Sequence, residues 1–228
     1  MRKLFLHIGT HKTGTTSLQS YLMANRERLG REGVAVCTED HAKFGLIANC
    51  IDLPNAVLRP GLMTVARMTG DAKPSGFWQH AKAAAHVKKF LSERGASQFV
   101  LSAEAFCFAR DDAERDKTKK MFSTPDVAIV PVVCFRNEAA WRESWFGEIE
   151  RWRPKCRHGH GEGTGDIRGD WYFDKDAIVR FWQQIGDVRT IDYDAAVRDR
   201  GSVLPALLDA MEIADAGDTE KYFLNARN

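Results

Sequence analysis

Leu4-Phe5-Leu6-His7-Ile8-Gly9-Thr10-His11-Lys12-Thr13-Gly14-Thr15-Thr16-Ser17-Leu18-Gln19-Ser20 is the stretch from which the fold can be read. Its apolar start reads as a short buried strand, Gly9 to Gly14 as a tight loop, and Thr15 onward as the start of an amphipathic helix. Strand, glycine loop and helix N-terminus in that order aim orphan N–H groups and the positive end of a helix dipole at one point, where an anion is favoured. Thr13, Thr15, Thr16 and Ser17 add hydroxyls, and Lys12 adds a point charge able to follow a developing negative one. The nucleotide-triphosphate P-loop differs, because it needs Gly-Lys followed by Ser or Thr, whereas Gly14 precedes Thr15-Thr16 and Lys12 stands two places earlier.

Outward from this stretch, Leu18, Tyr21, Leu22 and Leu29 continue the helix to about residue 31, and Gly30 and Gly33 stop it. Val34 to Cys37 is a strand, and a parallel pairing with the first strand places the loop at the carboxyl edge of the sheet. Residues 41–51 read as a short helix and 52–76, broken by Pro54, Pro60 and Pro74, as an irregular connection. Helices are expected at Phe77–Arg94, Asp111–Phe122, from Asn137, at Asp174–Gly186 and at Ser202–Glu212. Strands are expected at Gln98–Ser102, Val127–Phe135 and Val188–Asp192. Pro131 inside the most apolar strand calls for a bulge or a late start. The alternation predicts a three-layer α/β fold with a central, mainly parallel sheet, in a single domain over 1–228 with irregular insertions at 52–76 and 153–171.

With 228 residues, 44% of them apolar and 28% charged, and a formal net charge of +2, the chain reads as an ordinary globular protein without a nucleic-acid footprint. Its longest apolar run, Val127 to Phe135, is about half a membrane span. His7 ends the opening apolar run too early for a signal peptide, and five scattered cysteines without a Cys-x-x-Cys pair suit reduced, mostly buried thiols in a cytoplasm. His158-Gly159-His160-Gly161-Glu162 lacks the spacing of familiar zinc sites, so no metal is expected, and 153–171 reads as a loop over an acceptor site. Trp141 and Trp145 read as core; with Trp152 they could otherwise line a stacking wall.

His11-Lys12-Thr13-Gly14-Thr15-Thr16 resembles the 5′-phosphosulfate loop of sulfotransferases that use 3′-phosphoadenosine 5′-phosphosulfate. Arg136 at a strand end and Ser144 eight residues later resemble that family's 3′-phosphate pair. The resemblance covers residues 4 to about 195 in motif order and implies that His11, Lys12, Thr13, Gly14, Thr15, Thr16, Ser17, Arg136 and Ser144 bind the donor. Its cytosolic members end the intervening strand in Lys-Thr-His, with histidine as base; here Ser102-Ala103-Glu104 stands there, and glycan-modifying members use a glutamate. Lys12 and Glu104 are therefore the implied catalytic residues, with His7 or His11 as alternative bases. The implied reaction is transfer of a sulfuryl group to a hydroxyl, or an amine, of a small molecule or glycan, leaving adenosine 3′,5′-bisphosphate. Two other readings stay open: a P-loop kinase-like phosphotransferase, for which Asp192 is the one candidate magnesium ligand, and a catalytically silent nucleotide-binding protein. Neither the acceptor nor the oligomeric state can be read from the residues; family members often bring a basic segment near the end onto the 3′-phosphate, where this sequence has Lys221 and Arg227.

Overall fold

The computed structural model describes residues 1–155 and 167–222. The chain runs β1 (Arg2–Gly9), α1 (Thr15–Ala24), α2 (Arg26–Arg31), β2 (Val34–Val36), β3 (Glu39–His41), β4 (Gly45–Ile47), α3 (Asp52–Val57), α4 (Val65–Thr69), α5 (Phe77–Leu91), β5 (Gln98–Ser102), α6 (Asp112–Phe122), β6 (Val127–Phe135), α7 (Glu138–Trp152), α8 (Lys175–Gln183), β7 (Arg189–Asp192), α9 (Tyr193–Arg200) and α10 (Leu204–Ala210). A 3-10 turn, Glu104–Phe108, follows β5, and another, Asp170–Phe173, precedes α8. Five strands form a parallel sheet in the order β2-β5-β1-β6-β7, and β3 and β4 pair as a separate hairpin.

Strand alternation divides the core into two layers. Leu4, Leu6 and Ile8 of β1 pack with Phe99, Leu101 and the helices α5, α6, α7 and α8. Phe5 points the other way, into Leu18, Tyr21 and Leu22 of α1 and Leu204, Leu207 and Leu208 of α10. A sheet buried on both faces and covered by helices is the three-layer α/β arrangement expected from the sequence. Among the described residues no helix is long and apolar enough to cross a membrane, and Cys37, Cys50, Cys107 and Cys134 are buried and free.

Five expectations need correction. The second strand, β2, pairs with β5 and not with β1, because β5 lies between them in the sheet. The first helix breaks at Asn25, which ends α1 and precedes α2. Residues 41–51 hold the β3-β4 hairpin and not a helix. Pro131 stays inside a regular β6, paired with Leu6. Its ring Cδ abuts Gly186, and β7 pairs only from Val132 onward, so Pro131 interrupts no ladder bond on that side. The register shift lies instead in β1, between His7 and Gly9, at the start of the glycine loop. The connection at 52–76 contains α3 and α4, with the buried guanidinium of Arg67 donating to the carbonyls of Asn55 (2.6 Å), Leu58 (3.0 Å), Arg59 (2.8 Å) and Leu62 (2.6 Å). That one side chain satisfies a run of carbonyls that no ladder reaches.

Candidate active site

The loop after β1 turns through three residues with positive φ, Gly9 at 88°, Lys12 at 68° and Gly14 at 82°. Gly9 has a second reason to be glycine: a Cβ there would lie 2.8 Å from the carbonyl oxygen and 3.0 Å from Cα of Glu104. The missing side chain lets the end of β1 touch the residue just past β5. Thr10 Oγ1 donates to the Cys134 carbonyl (2.9 Å), which ties the loop to β6. Thr13 is buried and its hydroxyl donates to the Thr10 carbonyl (2.6 Å). Thr13 thus stiffens the loop, and its hydroxyl proton is committed within it.

Helix α1 starts at Thr15 from the left-handed Gly14, which offers no side-chain acceptor, so its first-turn N–H groups can serve an outside anion. Thr16 is exposed there, Ser17 and Thr15 are buried, and the Thr15 hydroxyl acts on the Glu104 carboxylate to lower its pKa. Gln19, one turn on, donates to Ser102 Oγ (3.1 Å). Burial holds the Glu104 carboxyl above the usual carboxylate range, against the lowering influence of Thr15, Lys12 and Gln19.

Lys12 Nζ lies 3.2 Å from Glu148 Oε2 on α7. Glu148 also accepts from Arg151 Nη1 (2.8 Å) and, at its other oxygen, from Trp152 Nε1 (2.8 Å). Burial pushes its pKa up, but the bonds from Trp152 and Lys12 and the charge of Arg151 leave it below the ordinary value. Glu104, Glu148 and His11 line one cavity of about 250 Å3, with Phe44, Ile51, Val65 and Trp152 among its walls. Its polar residues are largely bonded to one another: Thr64 Oγ1 to Asn55 Oδ1 (2.7 Å) and Thr69 Oγ1 to Asp71 Oδ2 (2.8 Å).

His11, read from sequence as a donor contact, turns its ring into an aromatic pocket. Its centroid is 4.3 Å from that of Trp145, and Nδ1 lies 2.6 Å from the Tyr172 hydroxyl. Its own N–H donates to the same hydroxyl (3.3 Å), and burial lowers its pKa to about 3. His11 is thus a neutral packing residue beside the cavity. His7 is fully buried against Ser102 Oγ (2.9 Å), and burial lowers its pKa to about 4.

Arg136 extends from the end of β6 over the ring of Tyr193, 5.1 Å from its centroid, with Nε 4.0 Å from Asp194 Oδ1. Its Nε is buried without a hydrogen-bond partner. Ser144 lies one turn before Glu148 on the same face of α7. Arg136 follows the carboxyl end of β6, Ser144 lies within α7, and neither lines the cavity. Trp141 and Trp145 are fully buried, as expected. Asp192 caps α9 by accepting from the Ala195 N–H (2.9 Å), so its Oδ1 has a structural task. Among the described residues no three His, Cys, Asp or Glu side chains are grouped to hold a metal ion. The stretch from His158 to Glu162 falls outside them.

Sequence reasoning missed Glu148, Gln19 and Tyr172. The spacing of Ser144, Glu148 and Trp152 puts them on one helix face, which was a readable signal for Glu148; nothing local marked Tyr172.

No family model and no curated protein matches the chain. Among solved structures it is similar to a sulfotransferase from Alicyclobacillus acidocaldarius, at 15% identity over 94% of this chain and 82% of that one, with a TM-score of 0.49. It is also similar to the sulfotransferase domain from the curacin biosynthetic pathway, at 13% identity over 98% of this chain and 79% of that one, with a TM-score of 0.49.

Proposed function

We propose that the chain is a sulfotransferase that moves a sulfuryl group from 3′-phosphoadenosine 5′-phosphosulfate to the hydroxyl of a small acceptor. The observation that carries this reading is the contact at Gly9, which brings an anion-binding loop bearing Lys12 against a half-buried carboxylate, Glu104, that lines a cavity. Glu104 takes the proton of the acceptor hydroxyl as its oxygen bonds to sulfur, a task suited to a carboxyl raised by burial. The bond from sulfur to the bridging oxygen breaks, and Lys12 neutralises the charge that builds on that oxygen and on the 5′-phosphate. The first-turn N–H groups of α1 hold the same phosphate, and Arg136 with Ser144 binds the 3′-phosphate of the bisphosphate that leaves.

The apolar walls and the mutually bonded polar residues of the cavity favour a compact, largely apolar alcohol over an oligosaccharide, whose many hydroxyls would each need a partner. The buried free thiols suit a reducing cytoplasm. The phosphotransferase alternative loses support because Asp192 is engaged as a helix cap. Thermal unfolding tests the reading: adenosine 3′,5′-bisphosphate at about a hundred times its Kd should stabilise the protein by about 2.7 kcal/mol. Stabilisation by ATP with Mg²⁺ and none by the bisphosphate would refute it.

A further inference from the structure

Lys12 has two carboxylates around it. Glu104 acts on it through space, and Glu148 meets its ammonium directly at 3.2 Å. Glu148 comes from a helix 136 residues further along the chain and is anchored on two other sides by Arg151 and Trp152. Its position is therefore set independently of Lys12. The charges of Lys12, Arg151, Glu104 and Glu148 cancel when both carboxylates are ionised. The loop thus presents a multiply charged phosphate ester with an anion-binding backbone whose one cation is already neutralised.

We infer that Glu148 is a positioning residue that competes with the 5′-phosphate of the donor and product for Lys12, and so sets how tightly both are held. This inference rests on the sulfotransferase reading of the loop. The ion pair is partly exposed, 28% at Lys12 and 19% at Glu148, so its strength is reduced by solvent and not abolished. Glu148 holds the Lys12 ammonium at 3.2 Å and takes it back as the bisphosphate departs.

Calorimetry with two ligands tests this. Glu148→Gln keeps the size of the side chain and a carbonyl acceptor for Trp152, but removes the charge facing Lys12. Adenosine 3′,5′-bisphosphate should bind the variant about tenfold more tightly than it binds the wild-type protein, a change of about 1.4 kcal/mol. Adenosine 3′-monophosphate, which lacks the phosphate that Lys12 serves, should bind both proteins equally. Glu148→Asp should keep wild-type affinities. Equal or weaker bisphosphate binding by Glu148→Gln, or equal gains for both ligands, would overturn the inference alone. Failure of the wild-type protein to bind the bisphosphate would instead overturn the reading of the loop and the inference with it.

Discussion

Gly9→Ala isolates the contact on which the site depends, and Gly95 supplies its control. Both glycines have nearly the same φ, 88° at Gly9 and 91° at Gly95. At Gly95 an added Cβ meets nothing within 4 Å, so Gly95→Ala should incur only the left-handed backbone penalty, about 1 kcal/mol. At Gly9 the same methyl meets three backbone atoms of Glu104, at 2.8, 3.0 and 3.3 Å, none of which can swing aside as a side chain could. Overpacking of that kind adds about 1–3 kcal/mol, for a total of about 2–4 kcal/mol. Urea unfolding of the two variants measures the difference directly. Relief of the clash moves the 3-10 turn that begins at Glu104, so bisphosphate affinity should fall in Gly9→Ala and hold in Gly95→Ala. Equal losses of stability in the two variants would refute the claim that Gly9 is there for the approach to Glu104.

Arg67→Met should destabilise by about 3 kcal/mol, because four carbonyls of the 52–69 segment lose their donor together; urea unfolding measures it, and hydrogen exchange should locate the loss in α3 and α4. His7, at about 4 in the fold against 6.5 unfolded, should contribute stability that is fully present above pH 6.5 and is lost as pH falls toward 4. The loss approaches about 3 kcal/mol, and His7→Asn should flatten that part of the profile relative to wild type. Arg136→Ala should weaken adenosine 3′,5′-bisphosphate by about 1–3 kcal/mol in calorimetry and leave a ligand without the 3′-phosphate nearly unaffected; equal losses would assign Arg136 to the fold through its contact with Tyr193.

The glycine loop was legible because its signal is local: a strand, two glycines and a helix start lie within a few residues of one another. The strands of the sheet were legible for the same reason, since Phe99 to Leu101 and Val127 to Val133 are apolar runs bounded by turns. Partners set by the third dimension were not legible. Residues 52–76 read as irregular because the bonds that order them come from Arg67, whose role depends on carbonyls up to twelve residues away. Residues 41–51 read as a helix because the strands of the hairpin, Glu39–His41 and Gly45–Ile47, are three residues each, too short for a period to declare itself. Lys12 is visible as a cation, but its pairing with Glu148 joins residues 136 positions apart in the chain. His11 sits in the motif, yet its ring is taken up by Trp145, Phe108 and Tyr172, contacts no neighbouring residue foretells.

Turnover of labelled 3′-phosphoadenosine 5′-phosphosulfate by wild type and Glu104→Gln tests the central claim most directly, with acceptors screened among small alcohols and hydroxylated sugars. Glu104→Gln keeps the size and hydrogen-bonding capacity of the side chain but cannot take a proton. It should hold the bisphosphate as the wild type does while kcat falls by about 10²–10⁴. In the wild type, kcat should rise with pH through a value above that of an ordinary carboxylate, since the base must lose its proton and burial raises Glu104. A Glu104→Gln protein with near-normal kcat and the same acidic limb would contradict the account.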